Sequence, residues 1–142
     1  MNDTHSLSAI VMAAGQGTRM RSATPKHLHP LLGRRMVDWV LAAVESVGAS
    51  PLVVVTSPET ADAFGDAGSA SIAVQREPRG TGDAVASART ALGNGDGDVL
   101  VLSGDTPLIT EELLRDLVDG HRSAGADVTV LSFALDEPGA YG

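Results

Sequence analysis

The sequence contains no cysteine among its 142 residues. This absence excludes disulfide bonds, thiolate metal sites and a cysteine nucleophile. Aromatic residues make up only 3% of the chain, whereas hydrophobic residues as a whole make up 43%. The core is therefore expected to consist mainly of small and branched aliphatic side chains, as in many α/β enzymes.

Positive charge is also scarce. The sequence has 10 Lys and Arg residues and 18 Asp and Glu residues, which gives a formal net charge of −8. An acidic surface argues against general nucleic-acid binding, and a nucleotide substrate would need a local basic site. No apolar run approaches the ~20 residues of a membrane span. The polar N-terminal segment MNDTHSLS does not resemble a signal peptide. We therefore expect no membrane partner and a cytoplasmic location.

Short apolar runs alternate with segments of helical periodicity. The predicted strands are Ser8–Met12, Leu52–Thr56, Ser71–Val74, Asp98–Leu102 and Asp127–Ala134. Helices are predicted from Met36 to a stop at Gly48, over Pro58–Phe64 and Asp83–Leu92, and after an N-cap at Thr110. This order predicts one Rossmann-like α/β domain, with a mostly parallel sheet and helices on both faces. Its ligands should bind outside the carboxyl ends of the strands.

Two loops combine glycine or proline with basic residues. The first strand leads directly into Met12-Ala13-Ala14-Gly15-Gln16-Gly17-Thr18-Arg19-Met20, where the glycines let the backbone approach an anion and Arg19 adds a cation. A tight strand-to-helix turn is the alternative interpretation. In Pro25–Pro30, proline stiffens the chain before Lys26, whose ammonium could neutralise phosphate charge; alone, it could equally be a surface lysine. His27 and His29 could suggest a metal pair, but the sequence offers no cysteine and no third histidine nearby to complete the site. His29 is therefore expected to be packed and hydrogen-bonded.

Two further motifs follow predicted strands. In Gln75–Ala84, the Gln75 amide can read a uracil edge, Gly80 allows a base to lie on the backbone, and Thr81 offers a hydroxyl; the alternative is a surface loop with Thr81 as the N-cap of a helix. In Ser103-Gly104-Asp105, an acidic residue is held just after a buried strand. Mg²⁺ favours one or two carboxylates together with phosphate oxygens and water, so Asp105 is the predicted metal ligand, with a turn or capping role as the alternative.

Together, in this order and spacing, the motifs resemble the uridylyltransferase domain of bifunctional N-acetylglucosamine-1-phosphate uridyltransferase/glucosamine-1-phosphate acetyltransferases. The family patterns are L-A-A-G-x-G-T-R-M, P-K-x-L-H, Q-x-x-x-x-G-T-G-x-A and G-D-x-P-L, and the final residues Leu135–Gly142 resemble D-D-P-x-G-Y-G. The chain departs from the family at three positions. Gln16 stands where the family often has lysine, Met12 where leucine is usual, and Ala140 where the family has glycine.

The resemblance implies an Mg²⁺-dependent reaction of UTP with N-acetylglucosamine 1-phosphate, which gives UDP-N-acetylglucosamine and pyrophosphate for cell-envelope precursor synthesis. It implies that Arg19 and Lys26 bind and activate the triphosphate and that Asp105 ligates the metal. The remaining implied substrate contacts come from Met12–Gly15, Gln75, Gly80, Thr81, Ser103, Gly104 and Gly142.

The same resemblance implies that residues 1–142 are the N-terminal part of a nucleotidyltransferase domain of the MobA-like NTP transferase kind. The sugar-binding remainder and the β-helix acyltransferase domain of the family are then absent from this sequence. Two alternatives stay open: a related transferase with another sugar phosphate or a molybdopterin-like acceptor, or a nucleotide-binding fragment without turnover. The oligomeric state cannot be assigned from the sequence.

Overall fold

The computed structural model describes residues 5–15, 17, 20–65, 68–94, 96–134 and 136. Its main sheet contains four strands, β1 (Ser6–Ala13), β4 (Leu52–Thr56), β5 (Ser71–Val74) and β6 (Gly97–Ser103). Their order is β5-β4-β1-β6, and all three pairings are parallel. The predicted α/β class is confirmed. In β4 all five residues are buried, which explains its uninterrupted apolar run.

Two helices cover one face of this sheet. They are α1 (Met36–Ser46) and α4 (Glu111–Ala124). Their apolar residues pack against alternate residues of β1 in one core, which includes Val11, Val40 and Leu114, each at most 1% exposed. Thr110 caps α4, as predicted, by accepting a hydrogen bond from the Leu113 amide.

The opposite face of the sheet is covered by α2 (Thr81–Ser87) and α3 (Arg89–Leu92). Ala84 and Ala88 pack there against Ile10, Val53 and Val55 in a second core. The sequence predicted one helix over Asp83–Leu92, but the structure begins it earlier and divides it at Ala88. Helices on both faces are thereby confirmed.

Shorter elements connect these layers. Pro30–Leu31 (β2) and Arg34–Arg35 (β3) form a small antiparallel pair around the predicted turn. Pro58–Phe64, predicted as a short helix, forms a turn followed by a 3₁₀ helix over Ala61–Phe64. Within the described ranges, no helix is long and apolar enough to cross a membrane.

The predicted fifth strand, Asp127–Ala134, is wrong for the chain as it stands. The segment forms no strand, and Val128 and Val130 are 77% and 78% exposed. Its Thr129 hydroxyl hydrogen-bonds the His121 Nδ1 at 2.8 Å, but a cavity of about 680 Å³ separates the segment from edge strand β6. A β-prone sequence needs a neighbouring backbone to complete a ladder, and among the described residues this segment pairs with none.

Candidate active site

The parallel sheet places the predicted site loops at one edge. The Gly104 amide donates to the Met12 carbonyl at 2.8 Å, which joins the ends of β6 and β1. A Cβ added at Gly104 would lie 3.1 Å from that same carbonyl oxygen. Glycine therefore favours the close approach that brings Ser103 and Asp105 beside the segment Met12–Gly15, since a side chain here would push the neighbouring strand end away by a few tenths of an ångström. Ala13 is buried in this segment, and Gly15 is exposed.

Lys26 and Asp105 meet at this edge although they lie 79 positions apart in the sequence. The Lys26 ammonium donates to the Asp105 Oδ2 at 2.8 Å, and the Ser103 hydroxyl donates to the Asp105 Oδ1 at 2.5 Å. The two side chains of the ion pair are 41% and 33% exposed, so a ligand can reach them. Among the described residues, Lys26, Asp105 and Ser103 thus bring together a cation, a carboxylate and a hydroxyl.

The electrostatic surroundings keep Asp105 ionised. Burial by itself raises the pKa of Asp105, but hydrogen bonds from Lys26 and Ser103 and the charge of Lys26 outweigh burial and hold that pKa below its usual value. An ionised carboxylate with partly exposed oxygens fits the single protein ligand that Mg²⁺ often takes beside phosphate oxygens and water. In the described residues, no group of three or more His, Asp or Glu side chains could hold a metal ion, so a site built from protein ligands alone does not fit.

The position of Lys26 depends on its neighbours in the chain. Lys26 begins a 3₁₀ turn, Lys26–Leu28, directly after Pro25. Gly17 approaches it so closely that an added Cβ would lie 2.6 Å from the Lys26 Cβ, and Gly17 has a φ of +59°. Both observations require glycine at this position of the loop after β1.

The segment around Gln75 lies at the end of β5. Gln75 is buried, and its backbone amide donates to the Thr56 carbonyl at 2.8 Å. Gly80 has a φ of +105° and is the N-cap of α2, whereas Thr81 is the first residue of that helix and makes no capping hydrogen bond. The alternative role of Thr81 as N-cap is therefore wrong, and the exposed Thr81 hydroxyl is left for other contacts.

Two predicted site residues, Arg19 and Gly142, lie outside the described residues. Sequence reasoning also missed parts of the edge. A cavity of about 310 Å³ is bordered by Ala14, Gly15 and Pro25 and by Ser57 and Thr60. The two latter residues follow β4, and the rule that ligands bind at the carboxyl ends of parallel strands could have identified them.

His27 is packed in the interior directly beside the site. Its ring lies 5.7 Å from that of Phe64, and within the described part of the chain its Nε2 is buried without a hydrogen-bond partner. Burial lowers the pKa of His27, the charge of Asp105 opposes this shift, and that of Arg35 adds to it. His29, in contrast, contacts the Thr24 carbonyl through its Nε2 at 3.0 Å, as expected for a packed histidine.

The lowered pKa of His27 predicts weaker stability in mild acid. Below the ordinary histidine pKa of about 6.5, the unfolded chain binds a proton that the folded chain does not. The free energy of unfolding should therefore fall by up to about 1.4 kcal/mol for each unit by which the pH is lowered. Urea unfolding of wild type, His27→Leu and the control His5→Gln at several pH values measures this. The His27→Leu variant should lose this part of the slope and the control should retain it; equal slopes in wild type and His27→Leu would contradict the prediction.

Comparison with known proteins places this site in a family. Residues 9–140 match the model of the MobA-like NTP transferase domain. The chain therefore belongs to this family, and the domain is of the nucleotidyltransferase class. Solved structures agree on the fold: a nucleotidyl transferase from Methanothermobacter thermautotroptrophicus aligns with a TM-score of 0.65 and 27% identity over 80% of this chain and 57% of that one. A 4-diphosphocytidyl-2C-methyl-D-erythritolsynthase from Anaerococcus prevotii aligns with a TM-score of 0.69 and 22% identity over 84% and 52%.

The most informative relatives are curated proteins called bifunctional protein GlmU. The one from Pelobacter propionicus is 47% identical over 139 residues, which are 96% of this chain and 30% of that protein. The one from Mycolicibacterium paratuberculosis is 44% identical over 151 aligned positions, covering 100% of this chain and 31% of that protein. The resemblance inferred from the motifs is thereby confirmed. The chain spans about 30% of the length of these relatives.

Proposed function

We propose that this chain is the nucleotide-binding part of an enzyme that transfers a uridylyl group from UTP to N-acetylglucosamine 1-phosphate. A phosphate oxygen of the sugar 1-phosphate forms a bond to the α-phosphorus of UTP, and the bond to pyrophosphate breaks. The products are UDP-N-acetylglucosamine and pyrophosphate. The observation that carries the proposal is the Lys26–Asp105 pair, at 2.8 Å, beside the glycine-rich loop of a nucleotidyltransferase domain.

Each group of the site has a role that needs no protein nucleophile. Lys26 neutralises phosphate charge as it develops on the leaving pyrophosphate, and Arg19 would add a second cation. Asp105, with Ser103 orienting it, would hold Mg²⁺, which when bound withdraws charge from the phosphate oxygens. Met12–Gly15, Gln75, Gly80, Thr81 and Gly104 would contact the nucleotide. The reaction is then promoted by positioning and charge neutralisation.

The extent of the domain is part of the same proposal. The similarity to GlmU proteins covers about 30% of their length, so we place further sugar contacts in sequence not contained in these 142 residues, with Gly142 as one sugar contact. The proposed location is the cytoplasm, where UTP is available. No oligomeric state is part of the proposal.

Pyrophosphate release tests the proposal. We expect Mg²⁺-dependent release from UTP with N-acetylglucosamine 1-phosphate, and slower release with glucose 1-phosphate or with no acceptor. Equal or faster release with another phosphate acceptor would contradict the assigned sugar and favour the related-transferase alternative. UTP binding without any release, in folded protein, would show that these residues bind nucleotide but do not complete the reaction.

A further inference from the structure

The Gln75 side chain is held in one orientation by two neighbours. Its Nε2 donates to the Asp83 Oδ2 at 2.8 Å and to the Gly80 carbonyl oxygen at 3.1 Å. Asp83 lies half-buried in the first turn of α2, and Gln75 is 7% exposed. The side-chain amide of Gln75 is therefore held in place by hydrogen bonds to groups at the start of α2.

The chemistry of these neighbours determines which amide atom faces them. A backbone carbonyl and a carboxylate both only accept hydrogen bonds, so the NH₂ group must point toward them and the oxygen away. Among the described residues no group donates to the Gln75 Oε1. That oxygen is also absent from the buried polar atoms left without a partner, which are His27 Nε2 and Thr56 Oγ1. Within the described part of the chain, the Gln75 Oε1 is therefore left to accept a hydrogen bond from a ligand.

An acceptor held in one direction distinguishes the two pyrimidine bases. Uracil carries a hydrogen-bond donor at N3, whereas N3 of cytosine is itself an acceptor. A site whose polar group is oriented to pair with one base leaves that group unpaired, or repelled, with the other. An amide free to turn over would accept either base, because it could present NH₂ or oxygen.

We propose that Asp83 is a specificity-determining positioning residue, whose carboxylate fixes the Gln75 amide so that its oxygen accepts from uracil N3–H and selects uridine over cytidine nucleotides. This inference rests on the proposed function, in that Gln75 contacts the base. It adds a residue to which the sequence motifs assign no role. Asp83 does not need to touch the nucleotide.

Asp83→Asn is the discriminating variant, because asparagine keeps the size of the side chain but can also donate. Only the Gly80 carbonyl then still requires the NH₂ group, so the Gln75 amide turns over more readily and can pair with either base. We expect the preference for UTP over CTP, measured as the ratio of their dissociation constants by calorimetric titration with Mg²⁺, to fall roughly tenfold. The wild type should also bind UTP methylated at N3 at least about tenfold more weakly than UTP. Binding is the readout, so the test does not require turnover.

Two further variants make the result specific. Glu77→Gln is the matched control, since it makes the same carboxylate-to-amide change on an exposed residue of the same loop, and it should leave the ratio unchanged. Asp83→Ala removes the carboxylate without adding a donor, so it should lower the ratio less than Asp83→Asn does. It also serves as the test if the asparagine variant does not fold.

The possible outcomes separate this inference from the function on which it rests. A ratio reduced in Asp83→Asn and unchanged in Glu77→Gln supports the positioning role. If the wild type prefers UTP and both Asp83 variants keep its ratio, the inference is overturned and the proposed function survives. Equal wild-type affinity for UTP and its N3-methyl derivative would overturn the base contact itself. A wild type that binds no uridine nucleotide would overturn both.

Discussion

Replacing Asp105 by asparagine is expected to reduce Mg²⁺-dependent pyrophosphate release by at least about 100-fold. The change keeps the shape of the side chain but removes the negative charge that would hold the metal. It also removes the charge opposite Lys26, whose ammonium lies 2.8 Å away. The pair is partly exposed, and pairs of this kind contribute little to stability, so the variant should unfold at nearly the wild-type denaturant concentration.

The control for this variant is Asp116→Asn, the same change on an exposed position of α4. It should retain the wild-type rate. If the wild type binds UTP without turnover, the Asp105 variant should instead lose the Mg²⁺ dependence of UTP binding. A variant that keeps both the wild-type rate and the wild-type metal dependence would remove Asp105 from the site.

Replacing Lys26 by methionine is expected to slow pyrophosphate release by about 10²–10³-fold, the usual effect of removing one group that stabilises transition-state charge. Methionine keeps an unbranched, flexible chain that can still pack against Gly17, so the loop should retain its conformation. Lys26 is the only lysine in the sequence. No second lysine can therefore take its place.

The rate constant and the Michaelis constant for UTP should be measured separately for the Lys26 variant. A charge used in the transition state lowers the rate constant, whereas one used only in binding raises the Michaelis constant. Arg89→Met, on the exposed side of α3, is the control and should change neither. A Lys26→Met enzyme with both constants unchanged would show that the ion pair serves only the structure.

The position of the site at the carboxyl ends of the parallel strands could be predicted, because the sequence patterns that indicate it are local. Leu52–Thr56 is a continuous apolar run, and in the structure it is fully buried between two neighbours. Continuous apolar runs indicate strands of a parallel sheet. Such a sheet brings the loops that follow its strands together at the carboxyl ends. The placement of Asp105 after Gly104 follows from the same logic, and its close contact with Met12 explains the glycine.

What could not be predicted depends on contacts distant in sequence. The pairing of Lys26 with Asp105 spans 79 positions, and no local pattern signals it. The role of Asp83 depends on how α2 meets the end of β5, which a motif does not encode. Asp127–Ala134 shows the converse, because its β-prone composition predicts a strand, but a local pattern says nothing of whether a partner backbone is present.

The central position of β1 has a consequence for the time at which the chain can fold during synthesis. Ser6 pairs with Gly97, which lies 91 positions later, and the pairing of β1 with β4 begins only at Leu52. At translation rates of roughly 5–20 residues per second, β1 waits on the order of 5–20 s for its second neighbour. For that interval the side of β1 that will pair with β6 has no partner strand. Correct folding depends on that side not pairing with another strand before β6 is made.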